Sequence, residues 1–342
     1  MSLKNLSAKT KIPKVFKNKL HNKKISQIYK KFAKSLKINE NFIVAVSGGP
    51  DSLALAFLSK IYSIQKNVKV KFYIIDHKLR AESTTEAKYV KKILNKFQIN
   101  TEILRWHGKK PTNNIQSLAR MKRFEFLFSK CKKFGITKIL LGHHQEDLFE
   151  NFFIRILRGS GLKGLISFGE KTKLNNVTIL RPLINQKKED LVFISKKVFN
   201  FYVKDPTNDD EKFQRVRVRK LLKGLENDGL DQKKFIKTIQ NLKKSNDVID
   251  HYVNKNLEEN TFFSSKEKQL FLNYDFFEQP YEVVFRSLSN SLNFVSEKYY
   301  TVRGKKIDRI IADIRKSSFF KGTLGGCLIK KVNQTVIITK EY

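Results

Sequence analysis

The chain has 342 residues, 40% of them hydrophobic, enough to bury the cores of two or three domains. Lys and Arg outnumber Asp and Glu by 69 to 32; the resulting charge of +37 draws polyanions by counterion release and points to RNA or DNA, although the joint excess of Lys, Asn, Ile and Phe also fits compositional drift. No apolar stretch reaches the length of a membrane span and the N-terminus lacks the apolar region of a secretory signal. Cys131 and Cys327 stand too far apart to form a C-x-x-C or a structural zinc site, so the expectation is a soluble cytoplasmic protein with free thiols and no membrane partner.

Twelve lysines and one acidic residue, Glu40, fall in the first forty positions, with only a weak helical pattern from Ile25 to Leu36. Residues 1–40 therefore read as a mobile basic N-terminal extension. From Phe42 onward, strand patterns near 42–46, 68–76, 101–106, 137–142 and 177–180 alternate with helical patterns near 53–65, 82–97, 113–133, 145–158 and 187–200. This rhythm predicts an α/β domain over 41–225, a doubly wound parallel sheet whose ligands bind at the carboxyl ends of the strands. It stops after Lys223. Helical patterns at 231–257 and 279–292 and a short β-rich finish from Gly326 to Thr339 predict a smaller, mainly helical second domain over 226–342. Its rings Phe262, Phe263, Phe271, Tyr274, Phe276 and Phe277 suit either an RNA-stacking surface or, more commonly, a core.

The first strand runs directly into Ser47-Gly48-Gly49-Pro50-Asp51-Ser52. The glycines let backbone N–H groups approach an anion, and the serines add donors beside a helix N-terminus, so the turn reads as a phosphate cradle. Asp51 would repel a polyphosphate unless a divalent cation lay between them, which argues for a magnesium nucleotide. The plainer alternative is a capped strand-to-helix turn; a Walker A loop is excluded because no Gly-Lys-Ser/Thr follows. Past the second strand comes Asp76-His77-Lys78-Leu79-Arg80, and past the fourth comes Gly142-His143-His144-Gln145-Glu146-Asp147-Leu148-Phe149-Glu150. On a helix, Asp147 and Glu150 share a face, where they could hold a second magnesium ion, receive an ammonium group, or simply complement the macrodipole. A metal set of His143, His144 and Asp147 is disfavoured because adjacent histidines point apart on most backbones. Only fourteen of the 69 basic residues are Arg, and nine of these, including Arg120, Arg123, Arg181, Arg215 and Arg219, lie in or beside these segments. Such positions favour the bidentate fork that phosphates and carboxylates accept.

The hexapeptide resembles the signature loop of the PP-loop, or N-type, ATP pyrophosphatases, a Rossmann-like group that splits ATP between its α and β phosphates. The resemblance narrows to the tRNA(Ile)-lysidine synthase family through Asp76-His77 with Leu79-Arg80, Asn114-Ile115-Gln116 leading to Arg120 and Arg123, and Gly142-His143-His144 with Asp147 and Glu150. Further matches are Arg158-Gly159-Ser160-Gly161-Leu162, Arg181-Pro182-Leu183, Asp205-Pro206-Thr207-Asn208, and Arg215 with Arg219, covering residues 42 to about 225. Lys78, Glu146, Leu148, Asn151 and Val216 depart from the family pattern, and Lys78 would be strained if the backbone there needs the left-handed conformation of its usual Gly.

The resemblance implies two steps. ATP adenylates the C2 carbonyl of the wobble cytidine of the CAU-anticodon tRNA(Ile), and the amine of free L-lysine then displaces AMP. It further implies ATP binding by Ser47, Gly48, Gly49, Pro50, Asp51, Ser52, Asp76 and His77, with Mg2+ on Asp51. Catalytic roles would fall to Asp51, Asp147, Glu150, Arg120, Arg123, Arg215 and Arg219. Two rivals stay open from the residues: a sulfur-inserting tRNA enzyme of the same superfamily, which ordinarily needs reactive cysteines or a cluster, and a noncatalytic basic RNA-binding protein.

Overall fold

A computed structural model describes residues 12–108, 115–174, 176–204, 210–297, 302 and 304–341. The chain forms two compact units, residues 1–230 and 231–342.

In the first unit, α1 (Lys14–Leu20) and α2 (Lys23–Leu36) precede β1 (Phe42–Val46). Asn22 caps α2 by accepting the Ile25 N–H at 3.2 Å. Ile25, Ile28, Tyr29, Phe32 and Leu36 recur at helical spacing and are buried, as is Phe16 of α1. The expectation of a mobile arm is thus corrected for residues 12–40. The lysines of α2 occupy its solvent side, while Phe32 of α2 meets Tyr62 edge-on and Phe16 of α1 meets Phe57 in the main core.

The alternation continues with α3 (Pro50–Lys66), β2 (Val70–Asp76), α4 (Ser83–Lys96), β3 (Thr101–Arg105), α5 (Ile115–Phe134), β4 (Lys138–Leu140), α6 (Gln145–Ile156) and α7 (Leu162–Leu165). Then come β5 (Lys171–Leu174), β6 (Val177–Leu180), α8 (Lys188–Phe199) and α9 (Gln214–Asn227). The six strands lie in the order β3-β2-β1-β4-β6-β5. All neighbours are parallel except β5, an antiparallel edge strand that the sequence reading missed because its Lys171-Thr172-Lys173-Leu174 is short and half polar. Residues of α2, α3, α4 and α8 fill one face of the sheet, and Leu127 and Cys131 of α5 help to fill the other. The order reverses at β1/β4, so a crevice opens beyond their carboxyl ends. The unit extends through α9, which packs on α6, to residue 230 rather than 225.

The second unit contains α10 (Gln232–Asn260), β7 (Thr261–Ser264), β8 (Gln269–Leu272), α11 (Asp275–Glu278), α12 (Tyr281–Ser296), α13 (Gly304–Lys316), β9 (Phe319–Leu324), β10 (Cys327–Val332) and β11 (Thr335–Lys340). It is more β-rich than its sequence suggested. Five antiparallel strands in the order β7-β8-β11-β10-β9 replace the short β finish, because β7 to β9 are brief and Phe-rich and carry no clear alternation. Leu272, Ile329, Val336 and Ile338 on one face of that sheet meet Val284, Leu288 and Leu292 of α12 and Ile307, Ile311 and Ile314 of α13.

Candidate active site

The turn after β1 is built around Ser52. Its Oγ accepts the backbone N–H groups of Ser47 and Gly48, both at 3.1 Å, and donates to the Gly49 carbonyl at 2.9 Å. Gly48 has φ +89°, and a Cβ there would lie 2.7 Å from Val90 and 3.0 Å from Val203, so the turn excludes any other residue at that position. Gly49 caps α3, with Pro50 in the first helical turn. Two distant segments brace the turn: the Val203 N–H donates to the Gly48 carbonyl at 2.9 Å, and Ser195 Oγ of α8 donates to the Pro50 carbonyl at 2.6 Å. At the exit of β4, a Cβ on Gly142 would stand 3.1 Å from the backbone of Asp51 and Ser52. That glycine lets the start of α3 lie against β4.

A cavity of about 210 Å³ fills this junction, lined by Ala45, Ser47, Asp51, Ser52, Arg123, His143 and Asp147 among others. A larger one, about 690 Å³, opens between α4 and residues 201–204; its Glu86 is already paired with Arg80 at 2.9 Å, and the predicted site residues do not line it. The smaller cavity is the one that gathers predicted site residues.

Burial raises the Asp51 carboxyl to about 6, against the pull of His144, and its Oδ1 is buried without a hydrogen-bond partner among the described residues. His144 Nε2 lies 3.7 Å from Asp51 and 3.5 Å from Asp147, while its Nδ1 meets Glu146 at 2.8 Å. Burial disfavours its charge, but the Glu146 hydrogen bond and the surrounding carboxylates prevail and hold its pKa above the usual histidine value. Asp147 is raised by burial, yet His144, His143 and the His144 N–H it accepts at 3.0 Å bring it below the usual carboxylate range. Glu146 also accepts the Lys188 N–H at 3.1 Å, so the longer side chain that departs from the family pattern ties α6 to the start of α8. Among the described residues no group of three His, Cys, Asp or Glu side chains is arranged to hold a metal. His143 turns its ring edge to Phe168, 5.1 Å between centroids, and burial drives its pKa down to about 3.

Glu150 is 2% exposed. Its Oε1 accepts from Arg219 Nε at 2.6 Å, Arg215 lies 3.9 Å from its Oε2 and 3.6 Å from Asp147, and Oε2 has no hydrogen-bond partner among the described residues. Arg215 and Arg219 therefore hold the acidic pair in this structure, a pairing that no local pattern in the chain announces. Arg123 is a cation among cations: burial, then Arg120 and Arg215, lower its pKa. Arg120 lies over the Phe124 ring at 5.6 Å. Arg181, its pKa lowered to about 10 by burial and then Arg120, stacks on Phe168 at 4.7 Å and donates to the Gly169 carbonyl and Thr172 Oγ1.

The segment after β2 divides in function. Asp76 accepts from the Lys78 N–H at 3.0 Å, Ser83 Oγ at 3.0 Å and Thr84 Oγ1 at 2.7 Å, so both its oxygens fasten β2 to α4. Both ring nitrogens of His77 are buried without a hydrogen-bond partner among the described residues, and burial with Arg123 lowers its pKa to about 4. Its ring meets Trp106 edge-on at 6.4 Å. Lys78 does take the left-handed conformation, φ +52°. Sequence reasoning named Gly142, His144 and Glu146 in their motif without these contacts, and it missed Ser195 and Val203, whose segments carry no local signal. Asn114, Asp205 to Asn208 and the side chain of Gln116 lie outside the described residues.

A PP-loop domain model matches residues 18–225, more than half of the chain. A tRNA(Ile)-lysidine synthase of Orientia tsutsugamushi is 34% identical over 317 residues, covering 89% of this chain and 70% of that protein. The chain belongs to the tRNA(Ile)-lysidine synthase family. Members from Wolbachia pipientis wMel and Rickettsia akari are 29% and 31% identical, covering 89% and 87% of this chain and 71% and 69% of theirs. Among solved structures, the U34-tRNA thiolase NcsA from Methanococcus maripaludis superposes with a TM-score of 0.56 at 20% identity, over 65% of this chain and 79% of that one. That likeness shows the shared PP-loop fold.

Proposed function

We propose that this family member joins free lysine to C2 of cytidine 34 in the CAU-anticodon tRNA(Ile), through an adenylated tRNA, releasing AMP and pyrophosphate. The observation that carries the reading is the buried, partnerless Asp51 oxygen at the mouth of the Ser-Gly-Gly turn. A carboxylate held so, with its pKa raised to about 6, would hold a Mg2+ ion carried in by the nucleotide. Bound there, the ion would draw charge off the departing pyrophosphate.

In the first step the C2 oxygen attacks the α phosphorus and the bond to the bridging oxygen of the β phosphate breaks. Gly49 and the start of α3 would offer N–H donors to the terminal phosphates, and Gly48, its own N–H spent on Ser52 Oγ, would let them approach. Arg123, a half-buried guanidinium on the wall of the same cavity, would meet the α phosphate. In the second step the lysine nitrogen attacks C2 and AMP leaves. An amine attacks only when neutral, so its ammonium must first lose a proton. Asp147, held ionised, would orient that ammonium, and Glu150 Oε2, the oxygen Arg219 leaves open, would take its proton as the nitrogen attacks C2.

The thiolase alternative has less support. Burial pushes the Cys131 thiol up to about 11, Cys327 is buried in the other unit, and two cysteines cannot supply the four thiolates that an iron–sulfur cluster ordinarily takes. The test combines the protein with ATP, Mg2+, radiolabelled lysine and separate tRNA transcripts. Label on the CAU isoleucine species alone is the expected result; ATP-dependent thiolation with sulfide, or no lysine transfer to any transcript, would overturn the proposal.

A further inference from the structure

The sheet of the second unit has one face packed on helices and one face open. In such a sheet the open face is normally polar. Here the register sets Phe262, Phe271, Ile337, Lys330 and Lys321 in one row across all five strands. At about 4.8 Å per strand, that row spans roughly 19 Å. Phe319 stands one row away, paired with Val332. Phe262 is 67% and Phe319 60% exposed, on positions where a merely soluble sheet would carry Thr or Lys. The rings of Phe262 and Phe271 are 6.3 Å apart and tilted by 39°, so they leave faces open to a third ring. The other described positions of that face are Ser, Thr, Gln, Leu and Val, and none is acidic.

The geometry points to a platform for unpaired RNA nucleotides on this face, bases stacking on Phe262, Phe271 and Phe319 and phosphates meeting Lys321 and Lys330. Exposed rings beside lysines, with no carboxylate to repel a backbone, are the combination that single-stranded nucleic acid recognises. The RNA partner rests on the function proposed above, but the platform is separate from the nucleotide site. A second copy of this chain would bring the same two lysines to the contact, which disfavours that occupant.

The test uses the full chain, an unstructured RNA dodecamer and the CAU tRNA transcript. Phe262→Ser with Phe319→Ser should weaken dodecamer binding at least tenfold without changing its salt dependence. Lys321→Ala with Lys330→Ala should flatten the slope of log K against log salt by about 1.4, or about 0.7 for each phosphate of a single strand that is no longer neutralised. Both pairs should keep the wild-type melting temperature and the fluorescence response of Trp106 to ATP. Crosslinks from 4-thiouridine RNA should fall on peptides of β7, β8 or β9. Wild-type affinity and slope in both double variants, crosslinks confined to residues 12–230, or dimerisation lost in the ring variant would overturn the platform. Because the readout is RNA binding, failure of lysine transfer leaves it intact.

Discussion

The two units treat charge in opposite ways. Residues 1–230 hold 49 basic and 19 acidic residues, whereas residues 231–342 hold 20 and 13. In the first unit, partnerless buried atoms of Asp51, His77, His143 and Glu150 lie on the segments that follow β1, β2 and β4, with others on Ser59, Asn151 and Arg181. In the second, the buried charge is Arg286, whose Nη1 donates to Asn246 at 2.6 Å and Asp250 at 3.0 Å while Nε donates to Glu282 at 2.7 Å. Among the described residues of that unit, only Arg286 Nη2 and Ser291 Oγ are left over, both on α12. Convergent orphan atoms mark a place for a ligand, and a charge surrounded by acceptors marks a joint between helices.

Asp51→Ala should break the first pattern most severely. Pyrophosphate release in the presence of tRNA should fall by about a thousandfold or more, as when a charge-stabilising metal site is removed. Its melting temperature at pH 7 should hold or rise: a carboxyl raised to about 6 in the fold opposes folding once ionised, an effect absent below about pH 4 and complete above about pH 6. Wild-type pyrophosphate release measured against pH should decline about tenfold per unit below pH 6, since the ionised form is the one that binds Mg2+, and high Mg2+ should move the midpoint down. A profile flat from pH 5 to 7 would remove Asp51 from that role.

Glu150→Gln should slow AMP displacement by lysine by about a hundredfold in single-turnover assays and spare adenylation, because the amine loses its proton acceptor. Equal slowing of both steps would assign Glu150 to positioning Arg219 instead.

Arg286→Ala tests the second pattern. Removing a buried side chain with three acceptors should cost about 2–4 kcal/mol in urea unfolding of the second unit, with ATP-dependent Trp106 fluorescence in the first unit preserved. The smallest effect belongs to Lys78→Gly, which relieves a left-handed backbone while keeping the N–H bond to Asp76. A gain of about 0.5–1 kcal/mol is expected in the first unit's unfolding.

Much of the first unit was legible because parallel strands buried on both faces appear as short apolar runs, and because the glycine turn declares its chemistry locally. The helices α1 and α2 were misread for a physical reason: twelve lysines mask an apolar stripe that only its partner, the Phe57 and Tyr62 region, makes visible. The sheet of the second unit was missed because strands as short as Thr261–Ser264 gain their identity from pairing, not from pattern.

The sequence by itself determined the cradle of Ser47 to Ser52, the shared face of Asp147 and Glu150, and the alternation that places both at strand ends, since turn chemistry and periodicity act over a few residues. Tertiary structure alone decided that Arg219 meets Glu150 across 69 positions, that Glu146 reaches Lys188 across 42, and that Ser195 braces Pro50 across 145. Those meetings depend on which elements the sheet order brings together, and no local rule of spacing encodes that order.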